Sequence, residues 1–468
     1  MKIEQIYTGC LAQGAYYIES LGEVAIIDPL REVKPYFDRV INDNAKIKYI
    51  FETHFHADFV SGHVTLFEIS GAPIVFGPTA NPSFNCHIAT DNEVFKIGEI
   101  TITALHTPGH TMESTCYLLK DKNGKNHAIF TGDTLFLGDV GRPDLAQKSA
   151  EITQEQLAAT LFKSLRSKIM VLEDDVIVYP AHGAGSACGK NLSKETIGTI
   201  GEQKLSNYAL RADMSEAEFV QEVTDGLLPP PAYFPKNVLL NKNGYENVNN
   251  IIKKNKAFDA KTFELIANQN NALILDVRNQ DDFSKSHIPN SIFIGLNGQF
   301  APWVGALITD IQQPILLICP IGKETETITR LSRVGYDNTL GYLEGGFESW
   351  QNAGFETDSI SGITAYELSE KIKSNDLKVF DVRKPGEFNN EHLDLAFSTP
   401  LDFLNDHLAE FPKNESFYVH CAGGYRSVIA ISILKRRGIN NVIDIKGGYD
   451  ALKLTDLVIS DKVCSKGL

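Results

Sequence analysis

A chain of 468 residues with a formal net charge of −15 is too long for one hydrophobic core and is expected to fold as several domains. Its 44 basic residues against 59 acidic ones argue against a nucleic-acid partner or an anionic membrane surface, and neither is expected. No apolar run reaches the roughly 18 residues that span a bilayer, MKIEQIYTGCLAQGAYYI lacks the pattern of a secretory signal, and seven scattered cysteines suit reduced thiols better than a disulfide framework. The expected location is cytoplasmic.

From the N-terminus, EVAIIDPL, KIKYIFETH, APIVFG, EITITALHTPGH, HAIFTGDTLF and DVIVYPAHG each have the composition of a buried strand ending in polar or glycine-rich residues. Asp28, His54, His110, Asp133 and His182 all fall at such strand ends, where a rigid support meets an exposed loop. TQEQLAATLFKSLRS and SKETIGTIGEQKLSNYALR are expected to be helical. The proline-rich DGLLPPPAYFPKN then marks a boundary. Beyond it the chain repeats itself: LILDVRNQDDFSKSHIPNSIFI resembles VFDVRKPGEFNNEHLDLAFSTP, LLICPIGKET resembles YVHCAGGYRS, and LEGGFESW resembles IKGGYDAL. Two α/β domains of about 100 residues each are expected after one larger domain, with limits at 1–245, 246–357 and 358–468.

Four short motifs carry metal chemistry: THFHADF (His54, His56, Asp58), TPGHT (His110), TGDT (Asp133) and PAHG (His182). A lone histidine is ordinarily a hydrogen-bonded structural residue, but these occur together, and Gly109 and Gly132 flank two of the candidates where backbone must turn tightly around an ion.

With their order along the chain, these motifs resemble the metallo-β-lactamase superfamily, in the branch of glyoxalase II and the persulfide dioxygenases. The resemblance implies an N-terminal αββα sandwich with the metal at one edge of two sheets. Binuclear members hold one metal with the equivalents of His54, His56 and His110. They hold the other with Asp58, a histidine that is here Phe59, and His182, and Asp133 bridges. Phe59 removes a donor from the second metal, so a dinuclear zinc hydrolase is disfavoured. In the persulfide dioxygenases the equivalents of His54, His110 and Asp133 bind one non-haem Fe(II), a two-histidine, one-carboxylate face suited to oxygenase chemistry. His56, Asp58 and His182 would then orient ligands or serve as alternative ligands. A zinc site of His54, His56 and His110 is the alternative.

GDVGRPDL resembles a GR-x-D segment that those dioxygenases carry, which places Arg142 near the metal with a substrate-binding role or, alternatively, in an ion pair with Asp144. Cys188 in PAHGAGSACGKN precedes a candidate helix start at Asn191 or Ser193 and lies beside Lys190, both of which would favour a thiolate. A thiol role near the substrate and a small buried cysteine are both open to it.

In YVHCAGGYRS a strand-end cysteine, Cys421, meets two glycines and a helix opening on Arg426, so backbone N–H groups, the helix terminus and a guanidinium can all stabilise an anionic sulfur. The stretch resembles the active loop of rhodaneses, and DVRKPGEF (Asp381, Arg383) matches a family landmark, which implies two rhodanese-like α/β domains, each with a central parallel sheet. In the first copy, CPIGKET, Pro320 deletes an N–H beside Cys319, and Glu324 replaces the arginine with a charge that disfavours thiolate, Lys323 compensating in part. That copy is expected to be degenerate.

The whole chain resembles persulfide dioxygenase–rhodanese fusions of sulfide detoxification. The resemblance implies that a low-molecular-weight thiol persulfide and O2 give thiol and sulfite, that Cys421 passes a further sulfur to sulfite as thiosulfate, and that the protein is a homo-oligomer. The alternative is a glyoxalase II-like zinc thioester hydrolase fused to a sulfur-carrier module.

Overall fold

The computed structural model describes residues 1–145, 152–373 and 377–460, and divides the chain into two compact units, Met1–Val248 with Ser332–Gly335, and Asn249–Leu331 with Tyr336–Leu468. Cys464 lies outside the described residues, and the other six cysteines are free thiols.

The first unit holds two six-stranded sheets. One comprises β1 (Lys2–Thr8), β2 (Gln13–Ser20), β3 (Glu23–Ile27), β4 (Lys46–Phe51), β5 (Ile74–Phe76) and β6 (His87–Ile88), side by side in that order. The other comprises β7 (Val94–Ile97), β8 (Ile100–His106), β9 (Thr115–Lys120), β10 (Asn126–Gly132), β11 (Ile177–Pro180) and β12 (Gly198–Thr199), again in spatial sequence.

Alternation along the strands builds the layers. Tyr16 and Ile18 of β2 pack with Tyr117 and Leu119 of β9 and with Phe130 of β10 in the core between the sheets. Ala15 and Tyr17 point the other way, onto Tyr36 and Leu66 of the helices Lys34–Asn42 and His63–Ser70. Likewise Cys116 and Leu118 of β9 face Ala158 and Leu161 of the helix Gln154–Ser164, and Phe219 of Glu216–Thr224 joins the same cluster. Helices on both outer faces of two stacked sheets make an αββα sandwich.

The helix Gln154–Ser164 starts at a capping box in which Thr153 and Gln156 bind each other's backbone N–H groups, and it runs on into a π-turn, Leu165–Ile169. The stretch expected to be helical over residues 193–211 is helical only from Ile200 to Ser206, followed by a 3-10 turn, Tyr208–Leu210. Past the three consecutive prolines, the helix Phe234–Asn243 begins with a proline in its first turn, where the missing N–H costs nothing.

The second unit contains two five-stranded parallel sheets. The first is formed by β13 (Lys256–Phe258), β14 (Leu273–Asp276), β15 (Ile292–Phe293), β16 (Ile315–Ile318) and β17 (Thr339–Leu343), in spatial order β13-β17-β16-β14-β15. The second uses β18 (Gly362–Thr364), β19 (Val379–Asp381), β21 (Ala396–Ser398), β22 (Phe417–His420) and β23 (Val442–Lys446) in the matching order β18-β23-β22-β19-β21. A small pair, β20 (His392–Leu393) with β24 (Ile459–Ser460), lies beside it. Cys319 and Cys421 directly follow the central strands β16 and β22, at the carboxyl ends where parallel α/β sheets place their sites. Among the described residues no helix is long and apolar enough to cross a membrane.

Candidate metal centre and sulfur-transfer loop

Three strand ends of the first unit converge. The loop after β4 delivers His54, His56 and Asp58, the loop after β8 delivers His110, and the end of β10 delivers Asp133. Among the described residues, three groups of potential ligands bring their donor atoms within 4.8 Å of one another: His54 with His110 and Asp133, Asp58 with His182 and Cys188, and Asp28 with Glu52 and His56.

The first group fits an ion. Asp133 Oδ2 is buried without a hydrogen-bond partner, and His110 Nε2 and His54 Nε2 stand 3.6 and 3.8 Å from it. Those separations are too long for hydrogen bonds and match donors that share a cation at about 2.0–2.2 Å. Each donor's other atom is fixed: Asp133 Oδ1 pairs with His182 Nδ1 at 2.8 Å, His110 Nδ1 with the Arg142 carbonyl at 2.9 Å, and His54 Nδ1 with Thr53 Oγ1 at 3.0 Å. Thr53 in turn donates its N–H and hydroxyl to Asp28 at 2.8 and 2.9 Å. This outer layer sets ring orientation before any ion arrives. Gly141 makes the close approach possible, since a Cβ there would lie 2.0 Å from the Asp133 carbonyl oxygen and 2.9 Å from His110 Nδ1.

Burial and the neighbouring His56 ring push His54 well below the usual histidine range, which leaves it neutral as a ligand must be. Burial works against ionisation of Asp133, but His182, His54 and His110 around it outweigh that and hold its carboxyl well below the ordinary range. His182 is raised well above its usual value despite burial, because Asp133 lies on one side and Asp58 on the other, with Asp58 Oδ2 at 2.9 Å from Nε2.

His56 turns elsewhere. Its Nε2 lies 3.1 Å from Asp28 and 3.7 Å from Glu52, whose other oxygen is 3.1 Å from His63 Nδ1. Burial, with Asp28 nearby, lifts the Glu52 carboxyl well above its ordinary value, and burial presses His63 down to about 3. Phe59 is fully buried, its ring 4.4 Å from His56 and 6.4 Å from His182, so an apolar side chain lies beside the two histidines.

Arg142 holds the centre through its backbone. Its guanidinium is spent on Asp144, with two bonds of 2.7 Å, and on the carbonyls of Ala187 and Leu228. Cys188 is buried, and burial, Asp58 and Asp133 push its thiol well above the ordinary range. No helix starts at Asn191 or Ser193, so of the two readings open to Cys188 the buried setting is the one formed. Asp139 Oδ2 accepts the N–H groups of Lys190 and Asn191, and the Lys190 ammonium donates to the carbonyls of Glu222 and Asp225. Asn241 is a contributor that sequence reasoning did not find. From the helix Phe234–Asn243 its amide donates to the carbonyls of His56 and Phe59 at 2.8 Å each and accepts Ser61 N–H at 2.8 Å, clamping the THFHADF loop. Nothing in the spacing announces a partner 182 residues away. Glu52 and His63 were also passed over, although they flank the motif closely enough to be suspected.

In the second unit, Gly424 N–H donates to Cys421 Sγ at 3.1 Å, and Ser427 Oγ lies 3.7 Å from the same sulfur. Gly424 has φ +104, a left-handed geometry that glycine permits. Arg426 forms a two-pronged pair with Glu387 at 2.5 and 2.8 Å. Asp381 and Arg383 are likewise paired, and the guanidinium stacks 3.7 Å from the Tyr449 ring.

The first repeat offers an internal comparison. Gly322 corresponds to Gly424, but its N–H goes to Glu324 Oε1 at 3.1 Å, the carboxylate that stands where Arg426 does. Burial, with Glu324 and Asp276 adding to it, pushes the Cys319 thiol up to about 12, Thr327 offsetting part. The donor that meets sulfur in one copy meets a carboxylate in the other.

An αββα sandwich whose strand ends gather two histidines and an aspartate with donor atoms close enough to share a cation defines a metal-binding metallo-β-lactamase-type domain, here followed by a pair of α/β repeats. Family comparison agrees: residues 8–182 match the metallo-beta-lactamase superfamily, and residues 259–353 and 364–455 each match the rhodanese-like domain. The chain is 30% identical to a metallo-beta-lactamase from Staphylococcus aureus subsp. aureus COL, with a TM-score of 0.64 over 73% of this chain and 98% of that one. It therefore belongs to the metallo-β-lactamase superfamily and carries two rhodanese-like domains. It is 34% identical to the cytoplasmic hydroxyacylglutathione hydrolase of Arabidopsis thaliana over 34% of this chain and 62% of the relative. It is 28% identical to the mitochondrial persulfide dioxygenase ETHE1 of Homo sapiens over 45% of this chain and 74% of the relative. The chain spans 58 to 66% of the length of four hydroxyacylglutathione hydrolases it matches.

Proposed function

We propose that the first unit is a persulfide dioxygenase with one non-haem iron held by His54, His110 and Asp133, and that Cys421 of the second unit converts the sulfite it makes to thiosulfate. The observation that carries this reading is the two-histidine, one-carboxylate set of His54, His110 and Asp133, with the Arg142 carbonyl of the GDVGRPDL segment fixing His110. Phe59 supports a single ion there by placing an apolar ring beside the set. Ferrous iron bound there would supply the electrons that let O2 react with a persulfide sulfur. The chain's own residues hold the set in place through Thr53, Asp28, the Arg142 carbonyl and His182.

The overall balance is RSSH + O2 + H2O giving RSH and sulfurous acid, which ionises to sulfite. At the second unit the Cys421 thiolate attacks the outer sulfur of a persulfide, the S–S bond breaks, and the thiol leaves. Sulfite then attacks the outer sulfur of Cys421–S–S⁻, thiosulfate departs, and the thiolate is restored. Gly424 N–H is placed to stabilise the anionic sulfur in both steps. The thiol carrier belongs to the small-molecule thiols.

The identity to hydroxyacylglutathione hydrolases favours one alternative, a zinc thioester hydrolase acting through metal-activated water. Metal analysis of anaerobically purified protein, with O2 uptake on glutathione persulfide and cleavage of a glutathione thioester, separates the two. Iron near one per chain with persulfide-dependent O2 uptake is expected. Two zinc ions with thioester cleavage and no O2 uptake would reject the dioxygenase. Cys421→Ser is expected to abolish thiosulfate and leave sulfite release intact.

A further inference from the structure

The first rhodanese-like repeat has lost the sulfur-facing donor of its own loop, yet it holds a residue of the other repeat's loop. Tyr425 directly follows Gly424 and opens the helix Tyr425–Arg436. Its hydroxyl donates to the carbonyl of Gly295 in the first repeat at 2.7 Å. Its ring lies 5.6 Å from Phe293 at an interplanar angle of 71°, and against Gly298 so closely that a Cβ there would fall 2.3 to 2.6 Å from three ring and hydroxyl atoms. Further along the same helix, Ser432 Oγ accepts Phe293 N–H at 3.0 Å.

The receiving turn is itself fixed. Gly298 N–H bonds to Gly295 O, Leu296 N–H to Val277 O, and Arg330 donates to Leu296 O at 2.8 Å. Gly298 is not in the left-handed region, so backbone conformation does not demand glycine there. What demands it is the room taken by the Tyr425 ring.

We propose that the first repeat positions the active loop of the second: the turn Gly295–Gly298 seats Tyr425, and the seated Tyr425 fixes the Gly424 N–H on the Cys421 sulfur. Tyr425 is a positioning residue, since it acts through Gly424 and not on the sulfur itself. The corresponding residue of the first repeat, Lys323, has no such seat. It pairs at the surface with Glu326 at 2.9 Å, and the N–H that precedes it binds a carboxylate. A seated aromatic and a sulfur-facing N–H occur together in one copy and are missing together in the other. This inference adds a residue to the sulfur-transfer step and rests on that reading only for the identity of the product.

The test uses the full chain and two readouts. The first is the pH dependence of iodoacetamide alkylation at Cys421, followed on its own peptide by mass spectrometry. The second is thiosulfate formation from glutathione persulfide and sulfite. In Gly298→Ala and Tyr425→Ala the alkylation midpoint is expected to rise by about half a unit to one unit, as an N–H donor to the thiolate is lost. Thiosulfate kcat is expected to fall about tenfold with the sulfite KM little changed, and O2 uptake at the other unit should match wild type. Tyr425→Phe, which keeps the ring and deletes one hydrogen bond, should move both readouts in the same direction by less. Because both changes act through one seat, Gly298→Ala should have no further effect in the Tyr425→Ala background. If Gly298→Ala melts like wild type and leaves the Cys421 midpoint and kcat unchanged, the proposal is overturned. Additive effects in the double variant overturn it as well. Should either variant fail to fold, Tyr425→Phe decides, with an unchanged midpoint counting against the proposal. If wild type makes no thiosulfate, the product assignment fails while the alkylation shift still tests the positioning role.

Discussion

On the proposed reading Phe59 limits the first unit to one ion, and its surroundings say how. The ring is packed on His56, while Asp58 Oδ2 and His182 Nε2, which would be donors to a second ion, stand 2.9 Å apart. Phe59→His should return a donor beside Asp58 and His182, and metal content measured by plasma mass spectrometry should rise from about one ion per chain toward about two. Persulfide-dependent O2 uptake should fall in the same preparation; unchanged stoichiometry would mean that something other than Phe59 limits the second position. Asn241→Ala is a second test at this scale. It leaves the His56 and Phe59 carbonyls and the Ser61 N–H without partners in a buried loop, a cost of about 3 kcal/mol. A lower thermal midpoint and a fall in bound metal are expected together, since the same loop carries His54. His54, His110 and Asp133 could be read from sequence because each sits in a short motif at a strand end. Asn241 could not, because its value comes only from a fold that returns a distant helix to the loop. At Cys188 two readings were open from sequence, and the fold favours the buried cysteine: no helix starts at Asn191 or Ser193, and Asp139 binds the N–H groups of Lys190 and Asn191.

At the scale of elements, the helix Gln154–Ser164 is the buttress of the His110 loop. Ser164 Oγ donates to Pro108 O at 2.7 Å, and Gly109, at φ +145, lies so close that a Cβ would fall 2.4 Å from Leu161 Cα. Gly109→Ala must therefore displace either the helix or the loop, and it should cost about 2 kcal/mol or more and reduce metal content. Thr153→Ala removes only the capping box of the same helix and should cost about 1 kcal/mol with metal content unchanged. Equal metal loss in the two variants would show that helix stability, and not the close approach at Gly109, maintains the centre. The strands that were legible, β3, β4, β5, β8, β10 and β11, are apolar runs that end in a marked residue. β9 (TCYLLK) was not read, although Cys116 and Leu118 feed one core and Tyr117 and Leu119 another, because it carries no motif to draw attention to it. The helix expected over residues 193–211 is shorter because Thr199 caps it late, with Glu202 completing the box.

Taken as a whole, the molecule keeps its candidate metal centre and its Cys421 loop on separate scaffolds. The metal set rests on β4, β8 and β10 of one unit, and Cys421 follows β22 of the other, each over its own apolar core. The repeat was legible from its paired motifs, and the difference between its two loops was legible from Pro320 and Glu324. The seating of Tyr425 was not, since Gly295 and Gly298 look like ordinary loop glycines until the fold brings the second repeat onto them. Separate scaffolds imply separable lesions. His110→Ala should abolish sulfite production from persulfide and leave thiosulfate formation from added sulfite, whereas Cys421→Ser should do the reverse. Sulfite is small, fully hydrated and stable enough to diffuse, so a mixture of the two variants should make thiosulfate from persulfide and O2 alone. Tethering in wild type can add only the effective concentration of one site near the other. That advantage should appear as a shorter lag at low enzyme concentration and vanish as sulfite accumulates. If Cys421→Ser consumes persulfide and O2 without releasing sulfite to solution, and the mixture makes no thiosulfate while His110→Ala still uses added sulfite, sulfite does not leave the chain between the two steps, and the units work as a closed relay.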